Sequence, residues 1–318
     1  MNLMLNDYCN LKCKYCFAHL GNVKNNITDE NMKIFIDFLK KSNYRNFRVL
    51  GGEPTLHPKF QEYVMNAIND PFFNEILIFT NGSTLNKDMI RNIASPKTGF
   101  LINLNSKSDI GELVYEKTIE NIRTLVDFYK MNNFPPKITL GINIYDKDFE
   151  YKYIVDLTKE LGLNSIRYSI VVPTETGKKI SLEYYKQFIP NIMNFFKYCY
   201  ENNIRTTIDC NPIPKCLFTK AQLMDLLMME QNMALFNECC MPLDVRTNLD
   251  VTRCFPFYDD FKLNLKDYDD ISKIIQYFAQ NIDSQRYVLP TFEECEYCKF
   301  FIEKKCQGAC MTYKFIKG

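Results

Sequence analysis

Two hydrophobic patterns alternate along the first two thirds of the chain. Short continuous apolar runs predict buried β-strands, and longer stretches with apolar residues every three or four positions predict amphipathic helices. Strands are expected at 2–5, 47–50, 75–80, 100–105, 137–145, 165–172 and 204–209. Helices are expected between them, at 28–41, 58–68, 87–93, 112–131, 149–161 and 182–202.

About six strand–helix units in series indicate an α/β fold with a parallel sheet and helices outside it. This number of units is too small for a closed eight-fold barrel. The pattern therefore predicts either an open, partial (β/α)6 TIM-like barrel or a doubly wound sheet. In barrels of this kind the chemistry collects at the C-terminal ends of the strands, so residues just after each strand are candidate site residues.

The pattern changes near residue 204, where the strand–helix rhythm stops and cysteines become frequent. We therefore expect two domains, a barrel over 1–203 and a small cysteine-rich domain over 204–318. The second region is too poor in regular structure to be held by an apolar core alone, and bound metal would supply the missing stability. Its cysteines are Cys210, Cys216, Cys239, Cys240, Cys254, Cys295, Cys298, Cys306 and Cys310.

Composition narrows the function classes. The 318 residues carry 39 Lys and Arg against 38 Asp and Glu, which gives no bulk charge for binding nucleic acid or a membrane surface. The chain starts without a signal peptide or a long apolar run, so we expect a cytoplasmic protein without membrane association. Thirteen cysteines in such a chain favour metal binding or redox chemistry over disulfides.

The densest cysteine cluster is C-N-L-K-C-K-Y-C-F, which places Cys9, Cys13 and Cys16 just after the first predicted strand. Three thiolates at this spacing can hold three corners of a cubane iron–sulfur cluster and leave the fourth iron open to a small molecule. A zinc loop completed by His19 is one alternative. Chance is the other, since cysteine is frequent throughout this chain.

This loop resembles the C-x3-C-x-aromatic-C loop of the radical S-adenosylmethionine (radical SAM) superfamily. The G-G-E-P run at 51–54, after the second strand, is similar to that family's G-G-E-P motif. The T-N-G run at 80–82, after the third strand, is similar to its frequent T-N-G. The resemblance implies a partial βα barrel with the cysteine loop after its first strand.

The resemblance also implies residue roles. Cys9, Cys13 and Cys16 would ligate a 4Fe–4S cluster, and S-adenosylmethionine would chelate its open iron. Reduction by an external flavodoxin or ferredoxin would release a 5′-deoxyadenosyl radical that abstracts a substrate hydrogen. The residues implied to bind S-adenosylmethionine are Gly51, Gly52 and Glu53 at its amino end, Tyr15 near its adenine, and Asn81, Asn103 or Asn105, Asn143, Val171 and Val172.

The C-terminal cysteines resemble a second pattern. The run C-x2-C-x7-C-x3-C at 295–310 is similar to the C-x2-C-x5-C-x3-C run of SPASM domains, which bind auxiliary 4Fe–4S clusters. The segment 240–254 resembles that domain's cysteine hairpin, with Leu249 at the position of its glycine. No cysteine follows Cys310, although the family usually has a last one. The resemblance thus implies one complete auxiliary cluster and one with an open or unusual ligand.

Ligand sets follow by analogy. The first auxiliary cluster would take Cys240, Cys254 and Cys310, and its fourth ligand would be Cys239, Cys216 or Cys210. The second would take Cys295, Cys298 and Cys306. The alternative is a zinc ribbon that uses Cys295, Cys298, Cys306 and Cys310.

Several residues have competing interpretations. Cys210 and Cys216 are also catalytic candidates, because a free thiol there would donate a hydrogen atom to a substrate radical, although we favour a ligand role. Cys199 is expected in the core. His57 is expected to have a surface or capping role, and the methionine-rich run at 223–233 is expected to be a packed helix.

Radical SAM enzymes with SPASM-like domains mostly modify peptides or proteins, so we expect a peptide maturase that forms a thioether or C–C cross-link or epimerises a residue. Cys9 lies too close to the start for a preceding leader-binding domain. A separate leader-binding protein, direct binding of a short motif and a small substrate therefore remain open. The alternatives are a sulfatase-type maturase with Asp209 as a candidate base, a small-molecule enzyme, and a non-catalytic metal-binding or redox module.

Overall fold

The computed structural model describes residues 1–16, 24–170, 181–229, 239, 242–257 and 261–315. The chain divides into two compact units. The first comprises Met1–Thr139 and Pro242–Phe278, and the second comprises Leu140–Met241 and Ala279–Gly318. These units cut across the regions 1–203 and 204–318, so the division proposed from the sequence stays a prediction about function.

The first unit is built on parallel strands that follow each other in the chain and in the sheet. They are β1 (Asn2–Met4), β2 (Asn46–Leu50), β3 (Glu75–Thr80) and β4 (Thr98–Asn103). The helices between and after them are α1 (Asp29–Lys41), α2 (Phe60–Asn69), α3 (Lys87–Ile93), α4 (Lys107–Ile110) and α5 (Glu112–Met131). The bounds of β3, α3 and α5 coincide with those predicted from the sequence.

The second unit contains three parallel strands, β5 (Ile138–Ile144, from Leu140 on), β6 (Ser165–Ile170) and β7 (Arg205–Ile208). Its helices are α6 (Lys152–Glu160), α7 (Leu182–Lys186), α8 (Ile189–Glu201), α9 (Lys220–Met228) and, near the C-terminus, α11 (Lys299–Ile302). The single helix expected at 182–202 is wrong, because Pro190 stands in the first turn of α8. Proline is tolerated there and not inside a helix, so the segment forms two helices.

An antiparallel hairpin of two strands and a third strand beside it extend the sheet of the first unit. The hairpin is β8 (Asp244–Val245) and β9 (Asp250–Thr252), the third strand is β10 (Lys262–Asn264), and α10 (Ile271–Asn281) follows them. β8 pairs in parallel with β1, and the Asn2 side chain donates a hydrogen bond to the Asp244 carboxylate at 2.9 Å. Part of the cysteine-rich region therefore belongs to the same sheet as the first strand.

Leu249 lies in the β8–β9 turn with φ of +67°. This left-handed conformation favours glycine, and the resembled hairpin motif has glycine at this position. The Leu249 side chain is fully buried, and its carbonyl accepts the Leu265 N–H at 2.9 Å. Burial of the leucine offsets the strain of its backbone, so the hairpin keeps its turn without the glycine.

The chain's apolar residues fill the core mostly as the sequence predicts. Cys199 is completely buried on α8, which confirms the prediction. The helix expected in the methionine-rich run is confirmed over its described part by α9, which buries Leu226 and leaves Met224 and Met228 58% and 72% exposed. The rest of that run, from residue 230, lies outside the described residues. Among the helices described, none is long and apolar enough to cross a membrane.

Candidate functional site

The loop after β1 carries the three clustered cysteines of the first unit. Cys16 donates its backbone N–H to the Cys13 carbonyl at 3.0 Å, which closes a tight turn. The backbone N–H of Leu11 donates to the Cys9 sulfur at 3.3 Å. Three thiols are thus presented by one short loop at the C-terminal end of a strand, where the sequence placed them.

This loop packs directly on the turn that follows β2. Gly52 donates its N–H to the Asn6 carbonyl at 3.0 Å, and Glu53 donates its N–H to the Tyr8 carbonyl at 2.9 Å. A Cβ at Gly52 would lie 2.2 Å from the Tyr8 carbonyl oxygen, and one at Gly51 would lie 2.2 Å from Asn6 Oδ1. Only glycine permits so close an approach of two backbones. Both glycines therefore have a steric role within the protein, and their role toward S-adenosylmethionine stays a prediction.

Glu53 joins the ends of β2 and β3. Its Oε1 accepts hydrogen bonds from the hydroxyls of Thr55 and Thr80, and its Oε2 accepts the Asn81 N–H at 2.7 Å. The side chain is 1% exposed, and this burial raises the pKa of the carboxyl group although the hydrogen bonds oppose the shift. Because the carboxylate is occupied by donors of the protein itself, the structure gives Glu53 a positioning role.

Two asparagines predicted to bind S-adenosylmethionine contact the cysteine sulfurs. Asn81 Nδ2 lies 3.6 Å from the sulfur of Cys9, and Asn105 Nδ2 lies 3.5 Å from that of Cys13. The Tyr15 hydroxyl donates to Asn105 Oδ1, so Tyr15 and Asn105 hold each other. These contacts have no local signal in the sequence, because the three segments are far apart in the chain.

The electrostatics of the loop bear on whether its sulfurs can be thiolates. Burial raises the pKa of the Cys9 thiol to about 11, and the N–H donors of Leu11 and Asn81 act in the opposite direction. Burial also raises the pKa of Cys13. Thiolates in this loop therefore need a positively charged partner, and iron supplies one. Three sulfurs with N–H donors aimed at two of them fit a 4Fe–4S cluster with an open iron.

Other predicted residues lie elsewhere. Asn143 is on β5 in the second unit, where its Oδ1 accepts the Ser169 hydroxyl. Cys254 follows β9 in the first unit, and its carbonyl accepts the Thr252 hydroxyl at 2.9 Å. Val171, Val172, His19 and Cys240 lie outside the described residues.

His57 and Asp209 are both held by neighbouring groups of the protein. His57 is 5% exposed, so its expected surface position is wrong, but its Nδ1 accepts the Lys59 N–H at 3.0 Å just before α2. Asp209 forms an ion pair with Arg167, whose side chain is 16% exposed. The ion pair occupies this carboxylate with a cationic side chain of the protein itself.

Two groups of cysteines come together in the second unit. In the first group, Cys210 is half-buried, and burial raises the pKa of its thiol, with the charges of Asp209, Cys310 and Cys239 adding to the effect. Asn211 organises this group: its Oδ1 accepts the Cys310 N–H at 3.1 Å and the Tyr185 hydroxyl at 2.6 Å. Its Nδ2 donates to the Ile170 carbonyl at the end of β6.

The second group surrounds a cavity of about 320 Å³. Cys216, Cys295 and Cys298 line this cavity. The thiol of Cys306 lies near enough that its charge raises the pKa of Cys216. Among the described residues, no group of three or more Cys, His, Asp or Glu side chains is arranged to hold a single metal ion.

The family model of the radical SAM superfamily matches residues 3–180. A curated relative, the S-adenosylmethionine-dependent nucleotide dehydratase of Selenomonas ruminantium, is 40% identical over 86 residues, which are 27% of this chain and 30% of the relative. The chain thus matches about a third of the length of the first curated relatives.

Two solved structures share the fold. Streptococcus suis SuiB bound to S-adenosylmethionine matches with a TM-score of 0.65 and 16% identity, over 98% of this chain and 72% of SuiB. The enzyme anSMEcpe with bound S-adenosylmethionine matches with a TM-score of 0.68 and 18% identity, over 97% of this chain and 88% of anSMEcpe. SuiB has also been solved with its precursor peptide SuiA, and anSMEcpe with a peptide named Cp18Cys.

These matches confirm the open α/β fold predicted from the strand–helix pattern, a partial barrel followed by a cysteine-rich segment. The family match spans the cysteine loop and the G-G-E-P and T-N-G turns, and it confirms the resemblance to the superfamily. The family model spans more than half of the 318 residues. The chain belongs to the radical SAM superfamily, whose enzymes use a 4Fe–4S cluster and S-adenosylmethionine.

Proposed function

We propose that this chain is a radical SAM enzyme that modifies a peptide, by forming a thioether or C–C cross-link or by epimerising a residue. The observation that carries the proposal is the extent of the fold match. Two enzymes that have each been solved with a peptide match 97–98% of this chain, including its cysteine-rich segment. The curated nucleotide-acting relatives match smaller shares of it, from 27% to 60%.

The cluster and S-adenosylmethionine supply the hard chemistry, a carbon radical able to abstract hydrogen from an unactivated carbon. The protein's task is to hold three sulfurs in place. Gly51 and Gly52 let the cysteine loop lie on the β2 turn, and Glu53 ties that turn to β3. The amides of Asn81 and Asn105 donate to the sulfurs and favour their anionic form.

The two cysteine groups of the second unit support the proposal of auxiliary clusters. Cys210 and Cys216 each lie near several other cysteines. A thiol in such a group is better explained as a ligand than as an isolated hydrogen donor. We propose that auxiliary clusters there accept an electron from the product radical or bind the substrate, with a flavodoxin or ferredoxin as external reductant.

The test is a comparison of substrate classes under one set of conditions. The anaerobically reconstituted full chain is incubated with S-adenosylmethionine, reduced flavodoxin and either a peptide encoded beside its gene or a panel of nucleoside triphosphates. The proposal predicts that the peptide alone changes, seen by mass spectrometry as loss of hydrogen or as deuterium uptake from heavy water. Conversion of a nucleotide with the peptide unchanged would overturn it. Cys9→Ala is the inactive control.

A nucleotide substrate is the second candidate, favoured by the 40% identity to the nucleotide dehydratase. A nucleotide dehydratase of Fibrobacter sp. also matches 60% of this chain, at 25% identity. A sulfatase-type maturase has less support, because its candidate base Asp209 is paired with Arg167. A leader-binding partner remains part of the peptide proposal and would be recognised by its effect on peptide affinity.

A further inference from the structure

We infer that Cys216 is the fourth ligand of the second auxiliary cluster, completing a set with Cys295, Cys298 and Cys306. The inference rests on the proposed auxiliary clusters and deepens them. The run that resembles the SPASM motif assigns Cys295, Cys298 and Cys306 to this cluster by analogy and leaves its fourth ligand unassigned. Cys216 lies about eighty residues before the other three and outside the run that resembles the SPASM motif.

The geometry brings Cys216 to the three other cysteines. Cys216, Cys295 and Cys298 line the same cavity of about 320 Å³. Cys216 stands in a short 3-10 turn, Lys215–Leu217, and Cys298 is the N-cap of α11. The Cys298 N–H donates to the Cys295 carbonyl at 3.2 Å, which places both sulfurs on one turn facing the cavity. Cys306 completes the group from the segment after α11.

The thiols interact electrostatically as one group. Burial and then the charges of Cys306, Cys298 and Cys295 raise the pKa of Cys216, in that order. Burial is likewise the first cause that raises the pKa of Cys295, and the charges of Cys306 and Cys298 add to it. These interactions place Cys306, Cys298 and Cys295 close to Cys216, as the shared cavity does for the last two. Four cysteine sulfurs are the usual ligand set of a 4Fe–4S cluster.

A buried lysine supports an anionic occupant. Lys314 is 8% exposed, and its ammonium donates to the Leu289 carbonyl at 2.6 Å. Its neighbours include the thiols of Cys295 and Cys306, whose charges oppose the effect of burial on its pKa. A lysine is seldom buried without a negative partner. A cluster held by four thiolates carries a net negative charge and provides that partner.

The segment C-N-P-I-P-K-C joins Cys210, in the first cysteine group, to Cys216, in the second. Asn211 has φ of +61°, a left-handed conformation that asparagine tolerates and that turns the chain just after Cys210. Pro212 and Pro214 then stiffen the segment. Six residues can span up to about 20 Å when extended. Cys210 can therefore stay with Cys239 and Cys310 while Cys216 reaches the cavity lined by Cys295 and Cys298.

The chemistry balances without a redox step. The Cys216 thiol releases its proton to solvent, and the sulfur donates an electron pair to iron. No oxidant or reductant is consumed. The resulting site has four cysteine ligands and no open iron, so it would not bind S-adenosylmethionine.

The test uses the full chain in a Cys9→Ala/Cys13→Ala/Cys16→Ala background, so that all remaining iron belongs to auxiliary sites. After anaerobic reconstitution, Cys216→Ala in this background is expected to lose about four irons and four sulfides per chain, or to convert one 4Fe–4S signal to a 3Fe–4S signal in EPR and Mössbauer spectra. Cys199→Ala is the matched control, because this cysteine is buried on α8 away from both groups. Its iron content should stay at the level of the background.

A second measurement guards against misfolding of the variant. In the unsubstituted chain, Cys216 is exposed, so iodoacetamide at alkaline pH, where the thiolate forms, should alkylate Cys216 in the metal-free protein and not after reconstitution. Equal iron content in the Cys216→Ala variant, or full labelling of Cys216 in the loaded protein, would overturn the inference. A background protein without iron would overturn it as well. Formation of 5′-deoxyadenosine by the unsubstituted enzyme is a separate readout, which reports on the radical SAM site.

Discussion

The cysteine loop of the first unit and the cysteine groups of the second unit bring their thiols together in different ways. Cys9, Cys13 and Cys16 sit within eight residues of one loop, and their support comes from turns at the ends of neighbouring strands. The second unit gathers cysteines from around residues 210, 239 and 295–310. The first arrangement depends on the positions of neighbouring strand ends, whereas the second depends on packing between segments that are far apart in the chain.

The first arrangement depends on close backbone contact, so the largest effect is expected where that contact is tightest. Gly52→Ala would place a Cβ 2.2 Å from the Tyr8 carbonyl oxygen. The cysteine loop must then move, and a displacement of about 1 Å at a reacting centre typically costs about a hundredfold in rate. We expect 5′-deoxyadenosine formation to fall by about that factor.

Gly111→Ala is the control for this comparison. Gly111 has a positive φ of +80°, so alanine strains the backbone there, but an added Cβ meets nothing within 4 Å. The variant should keep its rate of 5′-deoxyadenosine formation. Equal rates for the two variants would show that the contact between Gly52 and Tyr8 does not position the cysteines.

The hairpin offers the next largest effect, on stability. Leu249→Ala removes a buried side chain and keeps the left-handed backbone, so the free energy of unfolding should fall by about 2–5 kcal/mol. Leu249→Gly loses the same side chain but relieves about 1–2 kcal/mol of strain. The glycine variant should therefore be the more stable of the two in urea unfolding.

Leu265 provides the matched control, because it is equally buried and lacks a positive φ. There Leu265→Gly should be less stable than Leu265→Ala, since glycine has the higher conformational entropy when unfolded. The same order at both positions would contradict the assignment of Leu249 to the glycine position of the motif.

Glu53 gives a smaller effect with a characteristic pH dependence. Glu53→Gln points an amide N–H₂ at the Asn81 N–H, so we expect a loss of about 1–3 kcal/mol in the free energy of unfolding at neutral pH. Burial raises the pKa of Glu53 above its usual 4.5, so the folded state binds the proton more tightly than the unfolded state. The stability from this proton is present below pH 4.5 and is lost as the pH rises through the folded pKa.

Urea unfolding as a function of pH tests both the loss of stability in Glu53→Gln and the predicted pH dependence. The decline above pH 4.5 should disappear in Glu53→Gln and persist in Glu62→Gln, where the carboxylate is exposed. A decline of equal slope in all three proteins would assign the pH dependence to other groups.

The smallest effect concerns the hydrogen bonds to sulfur. Asn105→Leu removes the donor 3.5 Å from the Cys13 sulfur. N–H donors stabilise the more negative, reduced cluster, so the variant's reduction potential should fall. A redox titration followed by EPR measures this shift, with Asn92→Leu, at an exposed position on α3, as the control. An unchanged potential in Asn105→Leu would show that this contact does not tune the cluster.

Features set by local patterns could be predicted from the sequence, whereas contacts between distant segments could not. Strand β3 and helices α3 and α5 follow from local hydrophobic periodicity, and the cysteine loop is a local motif. The division of α7 from α8 was missed because the apolar pattern continues through residues 187–188, although Pro190 was a visible signal. The contact of Asn105 with Cys13 links segments about ninety residues apart, and no local pattern encodes such a distance.

The cysteines of the second unit show the same limit. The run at 295–310 was readable as a motif, whereas the place of Cys216 beside it depends on how the segment after β7 packs. Leu249 is the intermediate case. Its motif position was read from spacing, and its left-handed backbone follows from the turn that the spacing requires.

The most direct measurement is 5′-deoxyadenosine formation by the anaerobically reconstituted chain with S-adenosylmethionine and dithionite, with iron and sulfide counted in the same sample. The account predicts about eight or more irons per chain, formation of 5′-deoxyadenosine, and loss of that product together with about four irons in the Cys9→Ala/Cys13→Ala/Cys16→Ala variant. Zinc in place of iron, or cleavage that persists in the triple variant, would contradict it.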